Sequence, residues 1–346
     1  MFFLTKRLIF MAKVTLKQVA QACNVSINTA SLAMRNSTRL PQETRERIQQ
    51  TAKAMNYTPN RIAQALIGGK TQTIGLLMYA LSDSGHLLFF NAVEESVRNA
   101  GYILLVEIIK GNDCTSTLNQ LHSSGIDGLI VNASAPSTIQ KLKESGIKNI
   151  CLAGKELVAD VPYDQIYYSE YAGSVMLMEH LINSGHKRIG FITANPVESD
   201  PRLKAYRDTI RNAGIMTDSK LIAYIPYGEF SIDNIDAARG QLMGMKERPT
   251  AIFAYHDEVA LKLMFSLKKA GFSVPDDVSV TGINNTWAGE FYSTPLTSVD
   301  LKLEKQGKLC AETVISRIAD PDRGAQVINI TPELFVREST LKLNEV

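Results

Sequence analysis

Residues 14–69 read VTLKQVAQACNVSINTASLAMRNSTRLPQETRERIQQTAKAMNYTPNRIAQALIGG. Leu16, Val19, Ala20 and Cys23 recur at i, i+3, i+4 and i+7, one face of a helix. Thr15 stands where an N-cap hydroxyl accepts a bond from an orphan backbone N–H. Asn24 interrupts the pattern, and asparagine tolerates the left-handed backbone of a sharp turn. Ser26 can cap a second helix over residues 27–36 that buries Ala30, Ala33 and Met34. After a loop at 37–41, a third helix over 42–56 carries Ile48, Ala52 and Met55 on one face. Two short helices joined by a tight turn predict a helix-turn-helix, whose second helix suits a major groove. A small protein-binding helical bundle is the plainer alternative.

Charge separates these readings. Between residues 12 and 70, nine basic side chains face only Glu43 and Glu46, a net of +7, whereas the whole chain is +2. Lys6 and Arg7 add two more positives, so the remainder carries −7. A basic head on an acidic body suits phosphate contact with counterion release.

Beyond the head, Pro59 disfavours helix at Thr58 and can open a new one at Asn60. Residues 61–67 make under two turns before Gly68 and Gly69, too short to be stable alone. From residue 74 onward, short apolar strands alternate with amphipathic helices (IGLLMY, YILLVEII, GLIVNA, NICLA, then RIGFIT, LIAYIP, AIFAY, SVTGI). Two successive βα series predict two parallel-sheet subdomains. At 346 residues the chain can hold several domains with cores of their own. Its 45% hydrophobic and 21% charged content is that of a soluble globular protein. Cys23, Cys114, Cys151 and Cys310 are scattered, which argues for reduced thiols and against a disulfide framework or zinc site. The opening MFFLTKRLIF is too short to span a bilayer and lacks a small-residue cleavage site. It reads as a disordered extension over 1–12, with Met11 as an alternative start.

The segments VTLKQVA, NVS-x-x-T-x-S, TRERI and NYTPNRIAQAL resemble the lactose-repressor (LacI) family of transcription regulators. The resemblance continues through VESDPRLKAY, GHKRIGFI, the run RPTAIFAYHDEVALKLMFSLKKAGFSVPDDVSVTGINN, and TPLTSVD. It implies an all-α helix-turn-helix DNA-binding domain plus an α/β core of two doubly wound parallel-sheet subdomains, periplasmic-binding-protein-like. The expected boundaries are 13–59 for the head, 60–70 for a hinge helix and linker, and 71–346 for an effector-binding and dimerisation core. Within the core, an N-subdomain takes 71–164 and 297–325, and a C-subdomain takes 165–296 and 326–346. Crossovers are expected near Gln165, Leu296 and Gln326, with a ligand cleft between the lobes.

The resemblance also implies site residues. DNA contact falls to Thr15, Leu16, Ser26, Ile27, Asn28, Thr29, Leu32, Arg35 and Tyr57 in the head. Asn60, Ala63 and Leu66 belong to the hinge, with Leu66 as a minor-groove wedge. Effector contact falls to His86, Asp164, Arg202, Phe230, His256, Asn284 and Trp287. Gly85-His86 stands where relatives carry an aromatic pair, and Asn284 where they carry an Asp, which trades a charge for donors. Arg202 and Asp164 could instead form interdomain ion pairs. No Walker-A, G-x-G-x-x-G, G-x-S-x-G or H-E-x-x-H spacing occurs, so neither an enzyme nor a cofactor or metal is expected. The expected function is sequence-specific regulation of transcription, in the first place repression, by a cytoplasmic, nucleoid-associated homodimer. Its partners would be a pseudo-palindromic double-stranded operator and a small polar effector such as a sugar, with no membrane. Only six residues follow Thr340, without a leucine heptad, which favours a dimer over a tetramer. An exported solute-binding protein and an activator of the same family are the alternatives.

Overall fold

The computed structural model describes residues 14–57, 70–81, 83–109, 113–132, 135–194, 197, 200–226 and 228–343. The chain divides into two compact units, Met1–Thr71 and Gln72–Val346. The hinge residues Asn60, Ala63 and Leu66 lie outside the described residues.

The first unit holds three helices, α1 (Leu16–Ala22), α2 (Ile27–Met34) and α3 (Gln42–Ala54). Thr15 and Gln18 form a reciprocal capping box on α1, and the Ser26 hydroxyl accepts from Thr29 N–H to start α2. Asn24 makes the turn between them at φ 54°. The core is small: Val19, Ala20, Cys23, Ala30, Ala33, Ile48 and Ala52 are buried, flanked by Leu16, Met34, Met55 and Tyr57. Two side chains of α3 lock the arrangement. Arg47 donates to the Cys23 carbonyl at 3.1 Å and Gln49 to the Ala33 carbonyl at 2.9 Å, which satisfies the C-terminal ends of α1 and α2.

The second unit contains two six-stranded sheets. The elements of the first lobe are β1 (Thr73–Met78), α4 (Ser84–Asn99), β2 (Ile103–Ile108), α5 (Thr115–Ser123), β3 (Gly128–Asn132), α6 (Pro136–Glu144), β4 (Ile150–Gly154) and β5 (Asp164–Tyr168). The second lobe follows with α7 (Glu170–Asn183), β6 (Ile189–Thr193), α8 (Pro201–Asn212), β7 (Ile222–Tyr224), α9 (Ile232–Met243), β8 (Ala251–Ala254), α10 (Asp257–Lys269), β9 (Ser279–Ile283), α11 (Trp287–Glu290) and β10 (Thr297–Asp300). The chain then returns as α12 (Leu303–Ala319) and β11 (Val327–Ile330) and closes with β12 (Glu333–Phe335).

Sheet one has the order β11-β5-β4-β3-β1-β2 and is parallel throughout. Sheet two has the order β12-β10-β9-β8-β6-β7, with only β12 antiparallel. Parallel strands covered by helices on both faces account for the unbroken apolar runs read from the sequence. The chain leaves sheet one after Tyr168, returns after Asp300 and leaves again after Ile330. Each passage falls a few residues beyond the crossings expected at Gln165, Leu296 and Gln326. The displacement arises because DQIYY, TSVD, VINI and ELF are only three to five residues long and pair as strands only against neighbours that are already in place.

One apolar cluster runs between the lobes. Leu177, Met178 and Leu181 of α7 join Ile189 and Phe191 of sheet two to Ile74, Leu76 and Cys151 of sheet one. Within the first lobe an ionic clasp adds to this. Asp164 is fully buried, and it receives Arg317 Nε at 3.0 Å and its NH2 nitrogen at 2.9 Å. Arg323 adds two more bonds at 3.0 and 2.9 Å, and Gln326 N–H donates at 2.7 Å. Burial opposes ionisation here, but the hydrogen bonds from Arg317 and then Arg323 hold the carboxyl below the usual carboxylate range. The expectation that Asp164 touches effector is therefore corrected. Its five donors pin the start of β5 to α12 and to the turn before β11. Removing one partner of such a buried cluster leaves two uncompensated cations, so Asp164→Ala should cost about 3–5 kcal/mol, read as a lower urea midpoint of the second unit. A change below about 1 kcal/mol would show that the clasp contributes nothing net.

Candidate functional site

In the head, α2 presents Ile27, half-exposed, together with exposed Asn28 and Arg35. Among the described residues of the head, nothing covers this face. Arg35 Nε returns to the Ser31 carbonyl at 3.4 Å, and the Thr29 hydroxyl lies 2.8 Å from that of Ser26. Leu32 is half-buried, and Leu16 and Tyr57 lie against the core. The side chains of Leu16 and Tyr57 thus serve the framework, and the Thr15 hydroxyl is engaged with Gln18. The open polar and apolar tips are those of Ile27, Asn28 and Arg35.

In the second unit, a cavity of about 40 Å³ lies between the carboxyl ends of the two sheets. That is room for one or two waters and well below a ligand-sized pocket, so the cleft is closed. From the first lobe come Asp83, Gly85, His86 and Phe89 of the α4 start, Asn132 after β3, Lys155 after β4, and Tyr168 at the end of β5. From the second come Glu170, Arg202, Tyr255, His256 and Asn284, with Leu303 at the start of α12.

Capping explains the placement. Asp200 accepts from the N–H groups of Arg202 and Leu203, which begins α8 at Pro201 and sets Arg202 in its first turn. Asp83 likewise accepts from His86 N–H, so α4 begins at Ser84 and brings Gly85 and His86 to the cavity. Gly85 is packed so closely that a Cβ would stand 2.9 Å from Asn284 Nδ2 and 3.0 Å from Leu303 Cδ1. Asn284 itself holds φ 105°, in the left-handed half of backbone space that asparagine tolerates best after glycine.

Electrostatically the centre is Arg202, only 5% exposed. One terminal nitrogen donates to the Tyr255 carbonyl and the other to Glu170 Oε1 at 2.9 Å. Its guanidinium carbon lies 4.3 Å from the centroid of the Tyr255 ring. Lys155 reaches the same Oε1 at 2.9 Å from a half-exposed position, an ion pair that links the two lobes. Burial works against a charged Glu170, but Arg202 and then Lys155 outweigh it and bring its pKa down to about 2. Burial lifts the Tyr255 phenol to about 12. Burial, followed by the Arg202 charge, lowers His256 to about 4, so its imidazole is neutral near pH 7. Asp83 stays well below the usual range because its hydrogen bond and pairing to His86, 2.9 Å away, overcome its burial.

Of the residues expected from sequence, the structure gathers His86, Arg202, His256 and Asn284 at this cavity. Phe230 stands behind it, edge-on to His256 with ring centroids 4.7 Å apart, and supports the imidazole without lining the space. Trp287 is 75% exposed on α11 and is not part of the lining, which corrects its assignment as a stacking platform. Glu170 and Lys155 were not anticipated. Ser169 as the N-cap with Glu170 in the first turn is a legible signal for the start of α7. Among the described residues, no group of His, Cys, Asp and Glu could hold a metal ion, and no helix is long and apolar enough to cross a membrane.

The pH dependence follows from the sign of the Glu170 shift. The carboxyl is depressed from 4.5 to about 2, so its contribution is complete above 4.5 and is lost as pH falls towards 2. The stability difference between the natural protein and Glu170→Gln, followed by urea unfolding from pH 7 to pH 2, should be largest near neutrality and close over that window. A difference that stays constant with pH would remove Glu170 from this role.

Comparison with known proteins agrees with this architecture. Residues 15–60 match the family described as bacterial regulatory proteins, lacI family, and residues 178–340 match the periplasmic binding protein-like domain. The chain is 29% identical over 337 residues to the HTH-type transcriptional repressor PurR of Photobacterium profundum, covering 95% of this chain and 99% of that one. It is also 29% identical over 342 residues to the transcriptional regulator DegA of Bacillus subtilis, covering 96% and 99%. Among solved structures, the lac repressor dimer bound to operator and an anti-inducer superposes with a TM-score of 0.80 at 23% identity, covering 95% and 99%. The transcriptional regulator CelR in complex with cellobiose does so at 0.66 and 24%, covering 94% and 100%. With both halves of its architecture matched in order along nearly its whole length, this chain belongs to the LacI family of DNA-binding transcription regulators.

Proposed function

We propose that this protein is a cytoplasmic, homodimeric repressor that binds a pseudo-palindromic operator and is controlled by a small polar effector in the cleft between its lobes. One observation carries the reading: a helix-turn-helix head with an uncovered α2 face shares a chain with a two-lobed unit whose cleft buries a charged arginine. In this reading Ile27, Asn28 and Leu32 read base edges, Ser26 and Thr29 orient the start of α2, and Arg35 holds phosphate. Asn60, Ala63 and Leu66 form the hinge, with Leu66 as the wedge. Effector contact centres on Arg202, with His86, His256 and Asn284 around it. Ligand must open the Lys155–Glu170 pair to enter, and the lobes then close on it. That exchange couples two distinct sites, so operator and effector affinities change reciprocally.

The DNA half is tested by selecting binding sites from random duplexes with the natural protein and with Asn28→Ala. An asparagine paired with adenine is worth about 1–3 kcal/mol of discrimination. The variant should therefore lose preference at one position of each half-site while its salt dependence is retained. Enrichment of no sequence by the natural protein would overturn the proposal, and an unchanged preference in the variant would remove Asn28 from base readout. Light scattering of the DNA-free protein should give the mass of a dimer.

A further inference from the structure

The geometry points to an effector that carries a carboxylate, received by Arg202 Nε, His256 Nε2 and the Asn284 amide. This inference rests on the cleft being the effector site.

The cavity holds donors that have nothing to donate to. Both terminal nitrogens of Arg202 are engaged, but its Nε is buried without a hydrogen-bond partner. His256, 1% exposed, accepts Val259 N–H at its Nδ1 as the cap of α10. A neutral imidazole that accepts at Nδ1 carries its proton on Nε2, and this nitrogen too is buried without a partner. The depressed basicity of His256 keeps this tautomer through the neutral range. The Asn284 side chain lines the same space, with its Nδ2 beside Gly85. A buried donor left unpaired costs on the order of 1–3 kcal/mol, so such groups at one cavity mark a place built for acceptor atoms.

Acceptors could come from hydroxyls or from an acid. Each hydroxyl brings a proton of its own that needs an acceptor. Among the described residues, no oxygen stands among the buried unpaired side-chain atoms of the lining: Glu170 accepts from Arg202 and Lys155, and Asp83 accepts from His86 N–H. A carboxylate offers two oxygens and no proton. Arg202 and Lys155 face the carboxylates Glu170 and Asp83, so a monoanion adds the least negative charge that an acid can bring. A phosphate dianion would overshoot beside Glu170. Phe89 and Leu303 supply an apolar wall for a short carbon skeleton.

The experiment uses the full chain and matched probes: galacturonate against galactose, glucuronate against glucose, glycerate against glycerol, and glucose 6-phosphate. Binding is read by calorimetry and by the shift in thermal midpoint. At least one acid should bind, with its neutral partner tenfold weaker or more. Asn284→Asp, which keeps the shape of the side chain but adds a negative charge, should weaken that acid at least tenfold. His256→Asn, which retains an acceptor for the α10 cap, should weaken it comparably. The thermal midpoint of each unliganded variant reports its folding. Failure of every acid to bind, a neutral sugar that binds as tightly as its acid, or tighter binding of the phosphate would each overturn the carboxylate assignment. Operator binding measured with and without the bound acid separates the two levels. An acid that binds as described but leaves operator affinity unchanged supports the ligand class and overturns the effector reading beneath it.

Discussion

A guanidinium taken out of water must be given a fixed anion and fixed acceptors, and much of the second unit serves that need for Arg202. Its partners come from three separate elements: Glu170 at the start of α7, the Tyr255 carbonyl after β8, and the Asp200 cap that aims the first turn of α8. A buried charge with poor geometry would cost several kcal/mol. The carboxyl ends of sheet two are therefore held in register by the same groups that line the cleft. Lys155 then carries the arrangement across to sheet one through Glu170. The cleft is closed because a protein carboxylate bridges cations from both lobes.

The opposite end of sheet one shows the same principle in a purely structural setting. Asp164 gathers two arginines and a backbone N–H where the chain doubles back from α12 into β11. A short edge strand such as VINI is paired on one side only, and the clasp helps to hold it in place. The two acidic centres, Asp164 and Glu170, lie six residues apart along the chain, yet one stabilises a crossover and the other faces ligand space. Asp164 opens β5 and Glu170 follows two residues after its end, so the strand separates them by about 3.3 Å per residue.

In the head, the division of labour follows from size. A core built from so few side chains draws Leu16, Met55 and Tyr57 against it as partly buried supports. What remains free is the face of α2 that the capping serine orients. The basic residues of α3 are partly enlisted in the fold, since Arg47 closes the end of α1.

Local chemistry was legible in the sequence. The caps Thr15 and Ser26, the left-handed Asn24 and the alternation of apolar strands with helices follow from patterns within a few residues, because hydrogen bonds and periodicity act at that range, whereas the arginine of the cleft was implied by the family resemblance. The short strands β5, β10, β11 and β12 were not legible, since they form only through pairing with distant neighbours. For the same reason Asp164, Phe230 and Trp287 could be placed near the ends of elements but not on the correct side of them. The sequence by itself determined the elements, their order and the basic head. Only the tertiary structure decided which ionisable groups meet, because Glu170 and Arg202 lie 32 residues apart and Asp164 and Arg323 lie 159 apart. At such separations the pairing of charges depends on how helices pack against sheets, and no local pattern encodes it.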